Sequence, residues 1–181
     1  MNGLVRQLTE ADAEAFRAIR LEALADSPDA FGGDLAEESR QGLEAFTRQI
    51  TQSAIFGAFT EDDLRGVVGL FWNDSAKRRH LGHLYTVYVT PAARGTGIGL
   101  PLIEAALDHA RSRGLVQVLL GVATHNGPAI ALYRKAGFDI YGTEKRSLFV
   151  NGRYIDEHMM VRFLDHEPVQ QQGATESDKS E

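Results

Sequence analysis

The stretch Val87-Tyr88-Val89-Thr90-Pro91-Ala92-Ala93-Arg94-Gly95-Thr96-Gly97-Ile98-Gly99 limits what this chain can fold into more than any other. Tyr85 through Val89 are all β-branched or aromatic, as a strand requires, and Pro91 stops the strand because proline has no N–H to give a ladder. Leu100, Ile103, Leu107 and Ala110 then recur at three- and four-residue steps, with Glu104, Asp108 and Arg111 opposite them. That spacing predicts an amphipathic helix starting close to Gly97, with Pro101 tolerated in or near its first turn. Between strand and helix, Gly95, Gly97 and Gly99 remove the Cβ atoms that would hold a ligand off the backbone. The helix N-terminus supplies unpaired N–H donors and partial positive charge, and Arg94 adds a full cation. An anion, a phosphate above all, is expected at this turn.

Two common phosphate loops do not fit. A P-loop needs a Gly-Lys-Ser/Thr ending, and a dinucleotide fold needs G-x-G-x-x-G with an acidic residue about 20 positions on; neither spacing is present. A second motif, Asn126-Gly127-Pro128-Ala129-Ile130-Ala131-Leu132-Tyr133-Arg134-Lys135-Ala136-Gly137-Phe138, begins about 27 residues beyond Gly99. In a strand-helix-strand crossover that distance puts its helix beside the phosphate turn, so both motifs should face one ligand.

Together the two motifs resemble the GNAT superfamily of acetyl-CoA-dependent N-acetyltransferases. Arg94 to Gly99 is similar to the coenzyme A pyrophosphate loop, and Asn-x-x-Ala-x-x-Leu-Tyr-x-x-x-Gly-Phe to the matching helix. The resemblance spans about Leu4 to Leu164. Gly152 to Glu157 and Met160 extend it without naming a substrate. It implies an α/β, GNAT-like fold: a mixed, mainly antiparallel sheet with a splay between two central parallel strands, Leu81–Val89 and Val116–Val122, flanked by helices.

The resemblance also implies roles. Val87, Tyr88 and Val89 would hold the pantetheine arm and polarise the thioester carbonyl. Arg94, Gly95, Thr96, Gly97, Ile98 and Gly99 would take the pyrophosphate, Asn126 would bond the pantetheine or phosphate region, and Ala129 would pack beside the thiol arm. Tyr133 would sit at the thioester sulfur. Acetyl transfer to an amine passes through an oxyanion and expels a thiolate, and a tyrosine, with an ordinary pKa of about 10, can protonate it. The competing reading of Tyr133 is an aromatic packed under Phe138.

Several superfamily members carry a glutamate about six residues before the valine preceding the turn. The place here falls near His83, so His83 is the candidate base, with a structural strand histidine as its alternative. The segment after the first helix makes Arg20, Phe31 and Gly32 candidate acceptor contacts, or packing and loop-anchor residues.

The expected activity is direct acetyl transfer from acetyl-CoA, as co-substrate, to a primary amine of a small molecule or peptide. The rival is a non-catalytic acyl-CoA-sensing module of the same fold, which needs neither base nor proton donor. A nucleotide-binding regulator is a more distant third. A net charge of −6 disfavours nucleic acid and leans toward cationic partners, and a homodimer is left open. Without cysteine there is no thiolate metal site and no cysteinyl acyl intermediate. The histidines and carboxylates show no metal-ligand spacing, so no metal is expected.

With 181 residues and 43% apolar composition the chain suits one domain, 1–164, followed by a disordered acidic and polar tail, 165–181. Met1 to Arg6 does not read as a secretory leader, and no apolar run nears the ~20 residues of a membrane span, so a cytoplasmic protein is expected. Further elements read as follows. Leu4 to Leu8 is a strand. Thr9 with Asp12 resembles a capping box before a helix carrying Phe16, Ile19 or Arg20, Ala23 and Leu24. A second helix carries Leu43, Phe46 and Ile50. Strands Ala54–Phe59 and Leu64–Phe71 are joined by Glu61-Asp62-Asp63, and a last hairpin turns at Asn151-Gly152.

Overall fold

Strand formation follows the β-rich runs of the sequence: β1 Leu4–Gln7, β2 Ala54–Thr60, β3 Asp63–Trp72, β4 Leu81–Val89, β5 Gln117–Ala123, β6 Asp139–Val150 and β7 Arg153–Phe163. The computed structural model describes residues 4–165. The strands make one sheet in the order β1-β2-β3-β4-β5-β7-β6, antiparallel throughout except for the β4–β5 pair. The mixed sheet and its central parallel pair are those the resemblance implied.

β2 is buried along almost its whole length rather than alternately, because helices cover both faces of this part of the sheet. On one face lie α1 (Ala13–Asp26) and α3 (Leu43–Gln52), whose Phe16, Ile19, Ala23, Phe46 and Ile50 pack on Ile55, Phe59 and Val67. The other face carries α4 (Gly99–Ser112) and α5 (Gly127–Lys135). There Leu102, Ile103, Ala106, Leu107 and Ala110 join Phe56, Val68, Leu70, Val118 and Phe138. The helical spacings seen in the sequence are therefore the two buried stripes. α4 starts at Gly99, slightly later than expected, with Pro101 in its first turn where a missing N–H costs nothing.

The tight hairpins are local in origin. Glu61 and Asp62 both have positive φ (51° and 71°), as do Asn151 and Gly152 (49° and 77°), the arrangement of a turn whose twist matches that of its strands. Thr9 and Asp12 form the expected capping box, here on a short 3-10 turn ahead of α1. A further helix, α2 (Leu35–Ser39), has no apolar repeat to announce it; Asp34 caps it by accepting from the Glu37 N–H at 2.9 Å.

No helix among the described residues is long and apolar enough to cross a membrane. Apart from Asp165, the expected tail lies outside the described residues.

Leu107 is fully buried between α4 and the sheet. Leu107→Ala should destabilise the fold by ~2–5 kcal/mol, read as a lower denaturant midpoint with an unchanged m-value. A loss below about 1 kcal/mol would show that α4 is not seated as described.

Candidate active site

β4 and β5 run parallel for only three rungs, Leu81, Gly82 and His83 against Gln117, Val118 and Leu119. Past them the strands part. The separation coincides with a bulge in β4. Gly69 pairs with Tyr85 and Val67 with Tyr88, so one residue of β3 faces two of β4, Thr86 and Val87, with Thr86 at a φ of 50°. A β-branched residue seldom adopts that conformation, and the bulge reverses the side-chain alternation. Leu84 belongs to the α4 side of the core, Tyr88 to the α1 side, and Val87 and Val89 pack back against the α4 side.

The backbone follows suit. The Thr90 N–H donates to the Arg65 carbonyl, on the β3 side, whereas the Val89 carbonyl accepts from Arg94 Nε at 3.2 Å. Strand alternation thus turns the backbone groups of Val89 and Val87 away from β3, into the gap where β5 no longer pairs. Donors and acceptors stand there in the spacing of an unfilled ladder.

A cleft of about 520 Å³ fills this gap and extends over the N-terminus of α4. Val87, Tyr88, Val89, Arg94, Gly95, Gly97, Ile98, Gly99, Asn126, Ala129 and Tyr133 all line it, so the structure brings the two sequence motifs together. Gly95 and Gly97 have φ of 78° and 89°, and a Cβ at either would meet no protein atom. What demands glycine is the left-handed backbone, and what a side chain would obstruct is the cleft. Among the described residues the backbone N–H groups of Gly95, Gly97, Ile98, Gly99 and Leu100 have no hydrogen-bond partner, which makes the turn a nest for an anion.

Three expected contacts differ in detail. Thr96 does not line the cleft; its hydroxyl turns back to donate to the Ala93 carbonyl at 2.7 Å. Asn126 spends its side-chain oxygen capping α5, accepting from the Ala129 N–H at 3.2 Å. Arg94 is not a free cation: its guanidinium donates to Asp26 and lies over the Tyr88 ring. That hydrogen bond, more than any other influence, holds the Asp26 carboxyl below its usual pKa. Sequence reading also missed Lys135, a cleft-lining cation in the last turn of α5.

A second cavity, about 410 Å³, adjoins the first, and Tyr133, Val87, Phe31 and Ala30 border both. The acceptor candidates Arg20, Phe31 and Gly32 come together on its wall. Arg20 is buried and already engaged: its guanidinium donates to both oxygens of the buried Glu38, at 2.8 and 2.6 Å, and to Thr86 Oγ1 at 3.3 Å. The pair ties α1 and α2 to the bulge.

Tyr133 is buried on α5, edge-on to Phe138. Tyr133 thus packs against Phe138, and it also borders both cavities. Burial pushes its pKa well above the usual tyrosine value, so the phenol keeps its proton at any physiological pH.

His83 lines neither cavity. It sits on the last paired rung, before the splay opens, with its ring stacked on Phe71 (4.8 Å between centroids, 10° between planes). Counting back from Val89 assumes unbroken alternation, and the bulge at Thr86 breaks it. Burial, aided by the charge of Arg78, lowers the His83 pKa.

Residues 10–138 match the family model for the Acetyltransferase (GNAT) family. The chain belongs to the acetyltransferase (GNAT) family. Among its relatives is a mycothiol acetyltransferase from Thermobispora bispora, 34% identical over 132 residues that make up 70% of this chain and 43% of that protein. The chain spans less than half the length of the mycothiol acetyltransferases it matches. A crystal structure of ribosomal-protein-alanine N-acetyltransferase from Brucella melitensis superposes with a TM-score of 0.74 at 32% identity, covering 89% of this chain and 99% of that one. A phosphinothricin acetyltransferase from Sinorhizobium meliloti, solved in complex with acetyl-CoA, shares the fold. Its TM-score is 0.75 at 23% identity, with 90% and 89% of the two chains covered.

Asp26→Asn should tighten acetyl-CoA binding by up to about fivefold, since it frees Arg94 and removes a negative charge beside the nest, while Gly97→Val should weaken it strongly. Isothermal titration distinguishes these; weaker binding by Asp26→Asn would contradict the electrostatic picture. His83 is disfavoured as a cation when folded, so it subtracts stability as pH falls through its unfolded pKa of about 6.5 toward its lower folded one. His83→Phe should abolish that part of the acid-side decline in melting temperature and leave the pH–rate profile in place. A flattened acid limb would restore His83 as a base.

Proposed function

We propose that the chain is an acetyl-CoA-dependent N-acetyltransferase that moves acetyl directly to a primary amine of a small molecule or peptide. The observation carrying this reading is the buried phenol of Tyr133, held in its protonated form where the two cavities meet. A sensing module would use the first cavity and have no need of either the phenol or the second.

The catalytic unit is taken as one domain over residues 1–164. In this mechanism the backbone donors of Gly95 to Leu100 and the Arg94 and Lys135 cations receive the coenzyme's phosphates. The inward-facing backbone of Val87 and Val89 pairs with the amide groups of the pantetheine arm, as a strand would. That pairing places the thioester beside Tyr133, and Ala129 lets the arm pass close to α5. The acceptor amine approaches from the second cavity, past Phe31.

As the amine attacks the carbonyl carbon, negative charge builds on oxygen and then on sulfur. Fixed backbone dipoles at the β4 edge stabilise the first, and the Tyr133 hydroxyl donates to the second.

Tyr133→Phe should reduce kcat by ~10²–10⁴-fold while acetyl-CoA affinity changes little, because the ring still packs against Phe138. The wild-type rate should show no loss near pH 10 from ionisation of this phenol. Thiol release with a panel of amines is the assay; a Tyr133→Phe variant with wild-type kcat would remove the donor role.

A further inference from the structure

With Arg20 consumed by Glu38, one other ionisable side chain apart from tyrosine borders the second cavity among the described residues: Glu157 of β7. It stands opposite Ala123 in the β5–β7 ladder, and its carboxylate reaches sideways over Gly121, with Oε1 3.3 Å from where a Cβ on Gly121 would lie. The absence of a side chain at Gly121 therefore makes room for the carboxylate at the mouth of the splay. Glu157 accepts a hydrogen bond from Ser147 Oγ, which orients one oxygen. Among the described residues it has no ion-pair partner. Gly121, Leu120 and Tyr133 border the same cavity, so the carboxylate and the phenol address one space from different strands and helices.

We infer that Glu157 receives the acceptor's ammonium group and takes its first proton, and that the acceptor is a primary amine with no carboxylate beside it. The inference rests on the transferase reading above. A cavity with an unpaired carboxylate and a neutralised arginine attracts a cation and offers an anion no unpaired positive charge. A free α-amino acid would bring its own carboxylate against Glu157 with no unpaired cation to compensate, whereas an amine on an alkyl chain, an amino sugar or a peptide N-terminus would not.

Two protons leave the acceptor nitrogen in all. The acceptor enters as R–NH3+ and loses one proton to the Glu157 carboxylate, directly or through water. The freed nitrogen lone pair forms the C–N bond, the C–S bond breaks, and the thiolate takes the Tyr133 proton. The phenolate recovers the second proton shed by nitrogen, and Glu157 returns the first to solvent. One acetyl thioester and one ammonium become one amide, one thiol and one proton.

The experiment compares wild type, Glu157→Gln and Glu157→Asp on a panel of polyamines, aminoglycosides, peptides and amino-acid amides, each amide run beside its free amino acid. Wild type should acetylate phenylalaninamide and tyramine far better than phenylalanine and tyrosine. Glu157→Gln should lose about 10²-fold or more in kcat/KM toward the best acceptor, with acetyl-CoA affinity within about twofold of wild type. Glu157→Asp, which keeps the charge, should recover part of that loss. Should Glu157→Gln not fold, the Asp variant and the wild-type amide-to-acid preference decide. A preference for free amino acids, a Glu157→Gln enzyme within twofold of wild type, or acetyl-CoA binding with no amine of the panel acetylated would each overturn the assignment and leave the coenzyme cleft standing. Failure of wild type to bind acetyl-CoA would instead overturn the transferase reading itself.

Discussion

Three rungs of parallel pairing between β4 and β5 hold the centre of this sheet, and everything functional follows from their stopping at His83 and Leu119. A longer ladder would satisfy the backbone of Val87 and Val89 and leave no edge for a ligand. The bulge at Thr86 lies where the strands part, and it is strained, with a β-branched residue at positive φ. Its neighbours hold it there. The Thr86 hydroxyl accepts from Arg20, which Glu38 clamps from the other side, so a buried ion pair from α1 and α2 supports a backbone conformation on a strand far away in sequence. Removing one partner would leave a buried charge unpaired, a larger loss than the pair itself contributes.

Membership of the acetyltransferase (GNAT) family and the shape of the splay fit one another. The two cavities carry different electrostatics. The larger has N–H donors, the α4 dipole, Arg94 and Lys135; the smaller has a spent arginine and Glu157. In the mechanism proposed above, an anionic coenzyme and a cationic acceptor would be sorted to opposite sides of one neutral phenol. Asp26 moderates the anionic side by holding Arg94, so the nest depends more on backbone than on that side chain.

The parts of the fold that local chemistry decides were legible in the sequence. Asn151-Gly152 carries its turn in its own φ preferences, Gly95 and Gly97 likewise, and the stripes of α1 and α4 are simple consequences of helical period. What escaped depends on contacts between distant residues. Nothing near Thr86 announces a bulge, so counting along β4 makes His83 a candidate base or a structural strand histidine, and in the structure it stacks on Phe71. Arg94 meets Asp26, 68 positions away, and Glu157 lies over space that Gly121 of another strand leaves open. The Gly152 to Glu157 run resembles small acetyltransferases in sequence, and only the β5–β7 register gives its last residue something to face.

In the proposed complex the coenzyme completes the unpaired edge of β4. Amide hydrogen exchange, resolved by residue with and without saturating acetyl-CoA, addresses it directly. The account predicts slowed exchange at the Val87 and Val89 amides together with Gly97 to Leu100, while the Tyr88 and Thr90 amides, already directed at β3, change little. Acetyl-CoA binding that protects the α4 turn but leaves Val87 and Val89 exchanging as before would contradict it.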